Sequence, residues 1–171
     1  MAYHADAADV DGKEILTWEG FGAATRELAQ EIADSGFVPD IIIGVARGGL
    51  VPAGALSYAL GVKLLDAVNV EFYTDVHETL PDPVLLAPML DVESISSKKV
   101  LVVDDVADSG RTLALVLELL KGYQSDTRSA VIYSKPRSLV DPDFVWKATD
   151  EWIVFPWSDE PPVQRRGGQG G

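Results

Sequence analysis

Apolar positions along the chain change period several times, and each change predicts an element. Phe21, Ala24, Leu28 and Ile32 recur at helical spacing. They predict a helix over 18–35, with Thr17 as its N-cap and Gly36 as its stop. Asp40 to Val45 holds a short apolar, β-branched run and predicts a buried strand. Ala46-Arg47-Gly48-Gly49 follows as a loop, and Pro52 to Leu60 reads as a second helix with Gly61 beyond its end. Lys63 to Tyr73 predicts another strand.

Residues 74–88 break the periodicity and hold Pro81, Pro83 and Pro88. They predict a long loop, the kind that often serves as a lid. Lys98 to Val103 is a strongly apolar strand. Thr112 to Gly122 is a helix with Leu113, Leu117 and Leu120 on one side. Ser129 to Tyr133 and Trp152 to Phe155 complete the set of strands. Strands that are apolar throughout and alternate with helices imply an α/β fold with a mostly parallel sheet covered on both faces. Ligands in such sheets bind beyond the carboxyl ends of the strands. The loops at 46–49 and 104–112 both fall at that edge.

The chain of 171 residues suits one domain, expected over 14–160, with loose ends at 1–13 and 161–171. A net charge of −13 disfavours a nucleic-acid partner, which would require a basic face. An anionic substrate must therefore be held locally, by a metal, a helix N-terminus or a few placed cations. The absence of cysteine excludes disulfide and thiolate chemistry. The polar, acidic start is no signal peptide, and no apolar run is long enough to span a membrane, so a cytoplasmic protein is expected.

Candidate chemistry concentrates in Val100-Leu101-Val102-Val103-Asp104-Asp105-Val106-Ala107-Asp108-Ser109-Gly110-Arg111-Thr112. An apolar strand ends in two adjacent carboxylates, and a third follows before Ser-Gly-Arg-Thr opens a helix. The first free N–H groups of that helix carry the positive end of its dipole. Gly110 lets a phosphate approach the backbone, and Ser109 and Thr112 add hydroxyl donors. Asp104 and Asp105 suit the hydroxyls of a ribose, or a Mg²⁺ through water. An N-cap alone would explain one Asp or Ser, not this whole series.

This stretch resembles the phosphoribosyl-pyrophosphate signature of type I phosphoribosyltransferases. Ala46-Arg47-Gly48-Gly49-Leu50-Val51-Pro52 is similar to the family's pyrophosphate loop. Ser134-Lys135-Pro136 and Trp152-Ile153-Val154-Phe155-Pro156-Trp157 are similar to the base-binding segments of xanthine–guanine-type enzymes. The motifs occur in family order over about 15–158. Alone, Arg47-Gly48-Gly49 would be an ordinary turn, Lys135 a surface lysine and Trp152 a core residue.

The resemblance implies a Rossmann-like type I phosphoribosyltransferase fold with a small hood and a flexible loop. It implies transfer of 5-phosphoribosyl from phosphoribosyl pyrophosphate to a purine, with Mg²⁺, in a homodimer or homotetramer. Asp104 and Asp105 would hold ribose hydroxyls, Asp105 also the metal. Asp108 would be the general base, and the segment from Asp108 through Ser109, Gly110 and Arg111 to Thr112 would hold the 5′-phosphate. Arg47 and Gly48 would face the pyrophosphate, through a non-proline cis peptide common in the family. Lys135, Trp152 and Ile153 would contact the base. A lysine is donor-only, which favours a 6-oxopurine over adenine. The chain departs from the family at Phe72-Tyr73, where many 6-oxopurine enzymes carry Ser-Tyr. Another acceptor base, or a regulatory protein that only binds the sugar phosphate, are the competing readings.

Overall fold

The computed structural model describes residues 12–73, 82–86 as backbone, and 95–166. These fall into two compact units, one formed by the chain ends up to Phe21 and from Glu151, the other by Gly22–Asp150. Expectations placed on 1–11, 74–81, 87–94 and 167–171 lie outside the described residues.

The larger unit carries a six-stranded sheet. Its strands are β2 (Ile41–Ala46), β3 (Leu64–Tyr73), β4 (Asp82–Leu86), β5 (Lys99–Ala107), β6 (Asp126–Ser134) and β7 (Phe144–Ala148), in the order β4-β3-β2-β5-β6-β7. All neighbours are parallel except β3 and β4. The order runs outward in one direction from β2 and in the other from β5. The switch point of this α/β sheet therefore lies between those two strands.

Helices α1 (Trp18–Asp34), α2 (Leu50–Leu60) and α3 (Arg111–Lys121) supply the covering layers. Side chains alternate across a strand, so each central strand feeds two cores. Ile41, Ile43, Val45, Val100 and Val102 pack with Leu113, Val116 and Leu120 of α3. Ile42, Leu101 and Val103 pack with Leu28 and Ile32 of α1 and with Ala53 and Leu56 of α2. This double burial is why the strands read as unbroken apolar runs rather than as alternating ones.

The smaller unit pairs β1 (Lys13–Ile15) in parallel with β8 (Trp152–Val154). Thr17 caps the first turn of α1: its Oγ1 accepts from the Gly20 N–H at 3.0 Å. Phe155 stacks on Trp157 at 4.8 Å, and Phe21 meets Trp157 edge-on at 5.4 Å.

Four expectations change. The stretch 74–88 is not a continuous loop, because 82–86 pairs antiparallel with β3. Pro83 sits there opposite Phe72 on an edge strand, where a missing N–H is tolerated. Strand β5 does not stop at Val103 but continues through both acids to Ala107. β6 keeps pairing with it, Asp104 to Val131 and Ala107 to Ser134, after β2 has parted at Val103. Two strands, β1 and β7, have no counterpart in the reading of the sequence; each is short and lies at a sheet edge. Finally, Lys13 lies in β1 rather than in a loose end. Among the described residues, no helix is long and apolar enough to cross a membrane.

Candidate active site

The parting of β2 from β5 after Val103 opens the sheet at its carboxyl edge. The loop after β2 enters there. Its Gly49 N–H donates to Val45 O at 2.8 Å, and the Leu50 N–H donates to Arg47 O at 3.0 Å. The peptide between Ala46 and Arg47 is cis, as the resemblance implied for this loop. Gly49 is pressed between backbones. A Cβ on it would stand 2.5 Å from Val45 O, 2.6 Å from Val103 O and 2.9 Å from the Asp104 Cα. A Cβ on Gly48 would collide with the Asp105 carboxylate, with Cγ at 2.5 Å. Two adjacent glycines thus answer two different neighbours. Arg47 itself is exposed.

Asp104 and Asp105 continue the alternation of β5. Asp104 is in line with Val100 and Val102, and Asp105 with Leu101 and Val103. Asp104 is buried and lines a cavity of about 290 Å³ with Val106, Asp108, Ser109, Gly110, Thr112 and Arg137. Asp105 turns to the Gly48 side. The Asp105 N–H donates to Asp104 Oδ1, and the Val106 N–H to Asp105 Oδ1, each at 2.8 Å. Burial first, then the charge of Asp105 and a hydrogen bond with it, push the Asp104 carboxyl well above its ordinary 3.8. Burial also raises Asp105, against hydrogen bonds from Asp104 and Val106 that lower it. Two neighbouring carboxylates whose charge is disfavoured by burial suit an added cation.

Gly110 leads into α3 with φ +77, and no side chain caps the helix. Gly110 itself offers no side-chain oxygen to the first turn, and a glycine-led helix start of this kind can accept a phosphate. Ser109 Oγ accepts from the Arg111 N–H at 3.3 Å. Beyond the positive φ, a Cβ on Gly110 would meet Ser138 Oγ at 2.5 Å and Leu139 N at 2.9 Å. The glycine therefore also seats the turn that follows β6. Arg111 begins α3 and is not among the residues lining the cavity.

That turn carries Lys135, which is buried rather than a surface lysine. Its N–H donates to Ala107 O at 2.9 Å, joining it to the loop that bears Asp108. Arg137, two residues on, was not singled out by the sequence reading. Its Nε donates to Asp108 Oδ1 at 2.6 Å, and its Nη2 lies on the same oxygen. The signal was present as Lys-Pro-Arg-Ser, a proline-led turn at a strand end carrying two cations. Trp152, 72% exposed, and Ile153, half-buried, belong to β8 in the smaller unit. The larger unit thus gathers the phosphate-loop acids and hydroxyls, the Arg47-Gly48 loop and Lys135.

The phosphoribosyl transferase domain family matches residues 11–162. The chain is 33% identical over 149 residues to a xanthine-guanine phosphoribosyltransferase of Cereibacter sphaeroides, covering 83% of this chain and 84% of that one. It is 33% identical over 147 residues to the enzyme of the same name from Nitratidesulfovibrio vulgaris, covering 85% and 84%. Among solved structures it resembles a purine phosphoribosyltransferase from Pyrococcus horikoshii, with TM-score 0.76, 37% identity, and coverage of 90% of this chain and 99% of that one. With the switch-point loop, the paired acids and the glycine-led helix in place, the chain belongs to the phosphoribosyl transferase domain family.

Proposed function

We propose that this protein transfers 5-phosphoribosyl from phosphoribosyl pyrophosphate to a 6-oxopurine, namely xanthine, guanine or hypoxanthine. The products are a nucleoside monophosphate and pyrophosphate. The observation that carries the reading is the run from Asp104 to Thr112, of which Asp104, Asp108, Ser109, Gly110 and Thr112 line one cavity where β5 hands over to α3. The names of the two bacterial relatives support the choice of base.

In this reading the N–H groups at the start of α3, with the Ser109 and Thr112 hydroxyls, hold the 5′-phosphate. Gly110 admits it, and Arg111 adds positive charge nearby. Asp104 and Asp105 accept from the ribose hydroxyls. Arg47 and the Gly48 backbone face the pyrophosphate. The bond from ribose C1 to pyrophosphate breaks as the base nitrogen bonds to C1 from the other side. The ring passes through an oxocarbenium-like state, and Arg47 stabilises charge growing on the leaving group. Asp108 takes the imidazole-ring proton of the purine. Lys135 donates to the 6-oxygen, which adenine lacks. Trp152 and Ile153 enter as base contacts on motif order alone.

The donor set fits Mg²⁺. Two adjacent carboxylates suit that ion, which uses one or two carboxylates plus substrate phosphates. Asp105 would hold it. When bound, it would supply positive charge to the pyrophosphate.

A homodimer or homotetramer is part of the proposal. Tyr58, Leu64 and Leu65 are exposed large apolar side chains around the end of α2 and the start of β3. Cytoplasmic residence suits a chain without cysteine.

The test is a base panel. The protein is incubated with phosphoribosyl pyrophosphate, Mg²⁺ and xanthine, guanine, hypoxanthine, adenine, uracil or orotate, and pyrophosphate release is measured. Release with the 6-oxopurines alone is expected. Release only with another base moves the acceptor, and none with any base leaves a binding protein.

A further inference from the structure

Asp108 does not stand alone in the cavity. Arg137 places Nε and Nη2 on its Oδ1. The two side chains are 67% and 47% exposed, and an ion pair that open to solvent contributes little to stability. Its geometry is nonetheless imposed by backbone. Pro136 holds the second position of a turn closed by the Ser138 N–H on Lys135 O at 3.0 Å. The turn is fastened to the phosphate loop on either side of Asp108. The Lys135 N–H reaches Ala107 O, and the Leu139 N–H reaches Ser109 O, both at 2.9 Å. The missing Cβ of Gly110 leaves the room for Ser138 and Leu139 to sit there. Arg137 is therefore delivered to Asp108 by a frame of three backbone hydrogen bonds, and the ion pair adds orientation rather than holding the loops together.

We propose that Arg137 is a positioning residue that fixes the Asp108 carboxylate so that Oδ2 is the oxygen that takes the purine proton. The inference rests on the reading of Asp108 as general base. With both guanidinium donors on Oδ1, the carboxylate plane is set and Oδ2 is the oxygen left for substrate. As the attacking ring nitrogen bonds to C1, an N–H bond of the purine imidazole ring breaks and its proton moves to Oδ2, leaving the base neutral. The neutral acid keeps its contact to Arg137 through Oδ1. One turn then carries both the base-reading Lys135 and the group that aims the proton acceptor, so base recognition and proton removal share one rigid frame.

The experiment compares Arg137→Ala, Arg137→Lys, Asp108→Asn and the Asp108→Asn/Arg137→Ala double variant in steady-state kinetics with Mg²⁺, donor and the best base of the panel. Misaiming a reacting group costs up to about 100-fold, so Arg137→Ala should lower kcat by roughly 10–100-fold with the KM for phosphoribosyl pyrophosphate within about threefold. Arg137→Lys, with one charged donor, should recover part of the loss, as should added guanidinium ion with Arg137→Ala. The double variant should be no slower than Asp108→Asn, because Arg137 has nothing left to aim. A raised donor KM with unchanged kcat in Arg137→Ala overturns the proposal and makes Arg137 a phosphate ligand. Wild-type kinetics in Arg137→Ala beside a slow Asp108→Asn overturns it while the base assignment stands. Wild-type turnover in Asp108→Asn removes the base assignment itself.

Discussion

Gly48 lies in the loop after β2 and Asp105 on β5, yet the Asp105 carboxylate occupies the space where a side chain on Gly48 would begin. The pyrophosphate loop after β2 and the acid on β5 are fitted to each other across the switch point. Gly48→Ala should therefore act through Asp105. The obstructing group is a half-buried side-chain end, which can swing aside, so the protein should fold. A displaced carboxylate should still cost about 100-fold in kcat/KM. Full activity in Gly48→Ala would show that the position of Asp105 is immaterial.

The neighbouring glycine makes the opposite prediction. A Cβ on Gly49 meets two carbonyl oxygens and a Cα, and none of these can rotate away. Gly49→Ala should lose about 1–3 kcal/mol as the backbone shifts. That corresponds to a fall in Tm of roughly 2–12 °C for a chain of this length. Thermal melting of the two alanine variants side by side checks both; equal Tm values would contradict the backbone argument.

Asp104 gives a pH-dependent prediction. Its carboxyl is raised by burial and by Asp105, so the folded chain holds a proton that the unfolded chain releases. The associated stability is fully present below the ordinary carboxylate value and is lost as pH rises through the raised one. At neutral pH the buried acid is thus a cost borne for ligand binding. Asp104→Asn keeps an oxygen for the Asp105 N–H and removes that cost. Its Tm should exceed that of the wild type at neutral pH, and the gain should shrink in acid, while transferase activity is lost. A variant less stable than the wild type at neutral pH would reverse the sign and refute the account.

What could be read from the sequence follows from where each signal is local. Helix α1 was legible because its apolar face and its Thr17 cap are both written within the helix. The central strands were legible because burial on both faces leaves uninterrupted apolar runs. The end of β5 was not. Asp104 and Asp105 look like a strand stop, and only the continued partnership with β6 keeps them extended. The edge strands β4 and β7 were hidden for a related reason: prolines and charges that argue against a central strand are compatible with an edge. Within the site, the phosphate-loop residues were legible as one contiguous motif. The Arg137–Asp108 pair spans 29 residues and depends on a turn folding back onto the loop, which no local pattern encodes. The double role of Gly110 was hidden in the same way, since the residues filling its missing Cβ come from that turn.

Lys135 predicts a split between base and donor. A hydrogen bond from a charged donor is worth about 1.5–3 kcal/mol, so Lys135→Ala should lower kcat/KM for 6-oxopurines roughly 10–100-fold. Calorimetric binding of phosphoribosyl pyrophosphate should change little, because the lysine main chain keeps its bond to Ala107 whatever the side chain. Discrimination against adenine should narrow at the same time. Equal losses in donor binding and base use would reassign Lys135 to supporting the loop.

The carboxylate pair predicts a metal requirement with a defined residue dependence. Among the described residues, no group of three or more His, Asp or Glu side chains gathers as a metal cluster, so a cation at Asp105 would complete its coordination with substrate oxygens and water. Excess chelator should stop turnover, and added Mg²⁺ should restore it. Asp105→Asn removes a full charge beside a divalent ion, an interaction well over about 1.4 kcal/mol at short range. The Mg²⁺ concentration for half-maximal activity should therefore rise by at least about tenfold. Asp108→Asn supplies the control: its carboxylate is engaged by Arg137, so turnover should fall while the Mg²⁺ dependence of the residual activity stays put. Unchanged turnover in chelator, or an Asp105→Asn variant with wild-type Mg²⁺ dependence, would place the charge stabilisation on Arg47 alone.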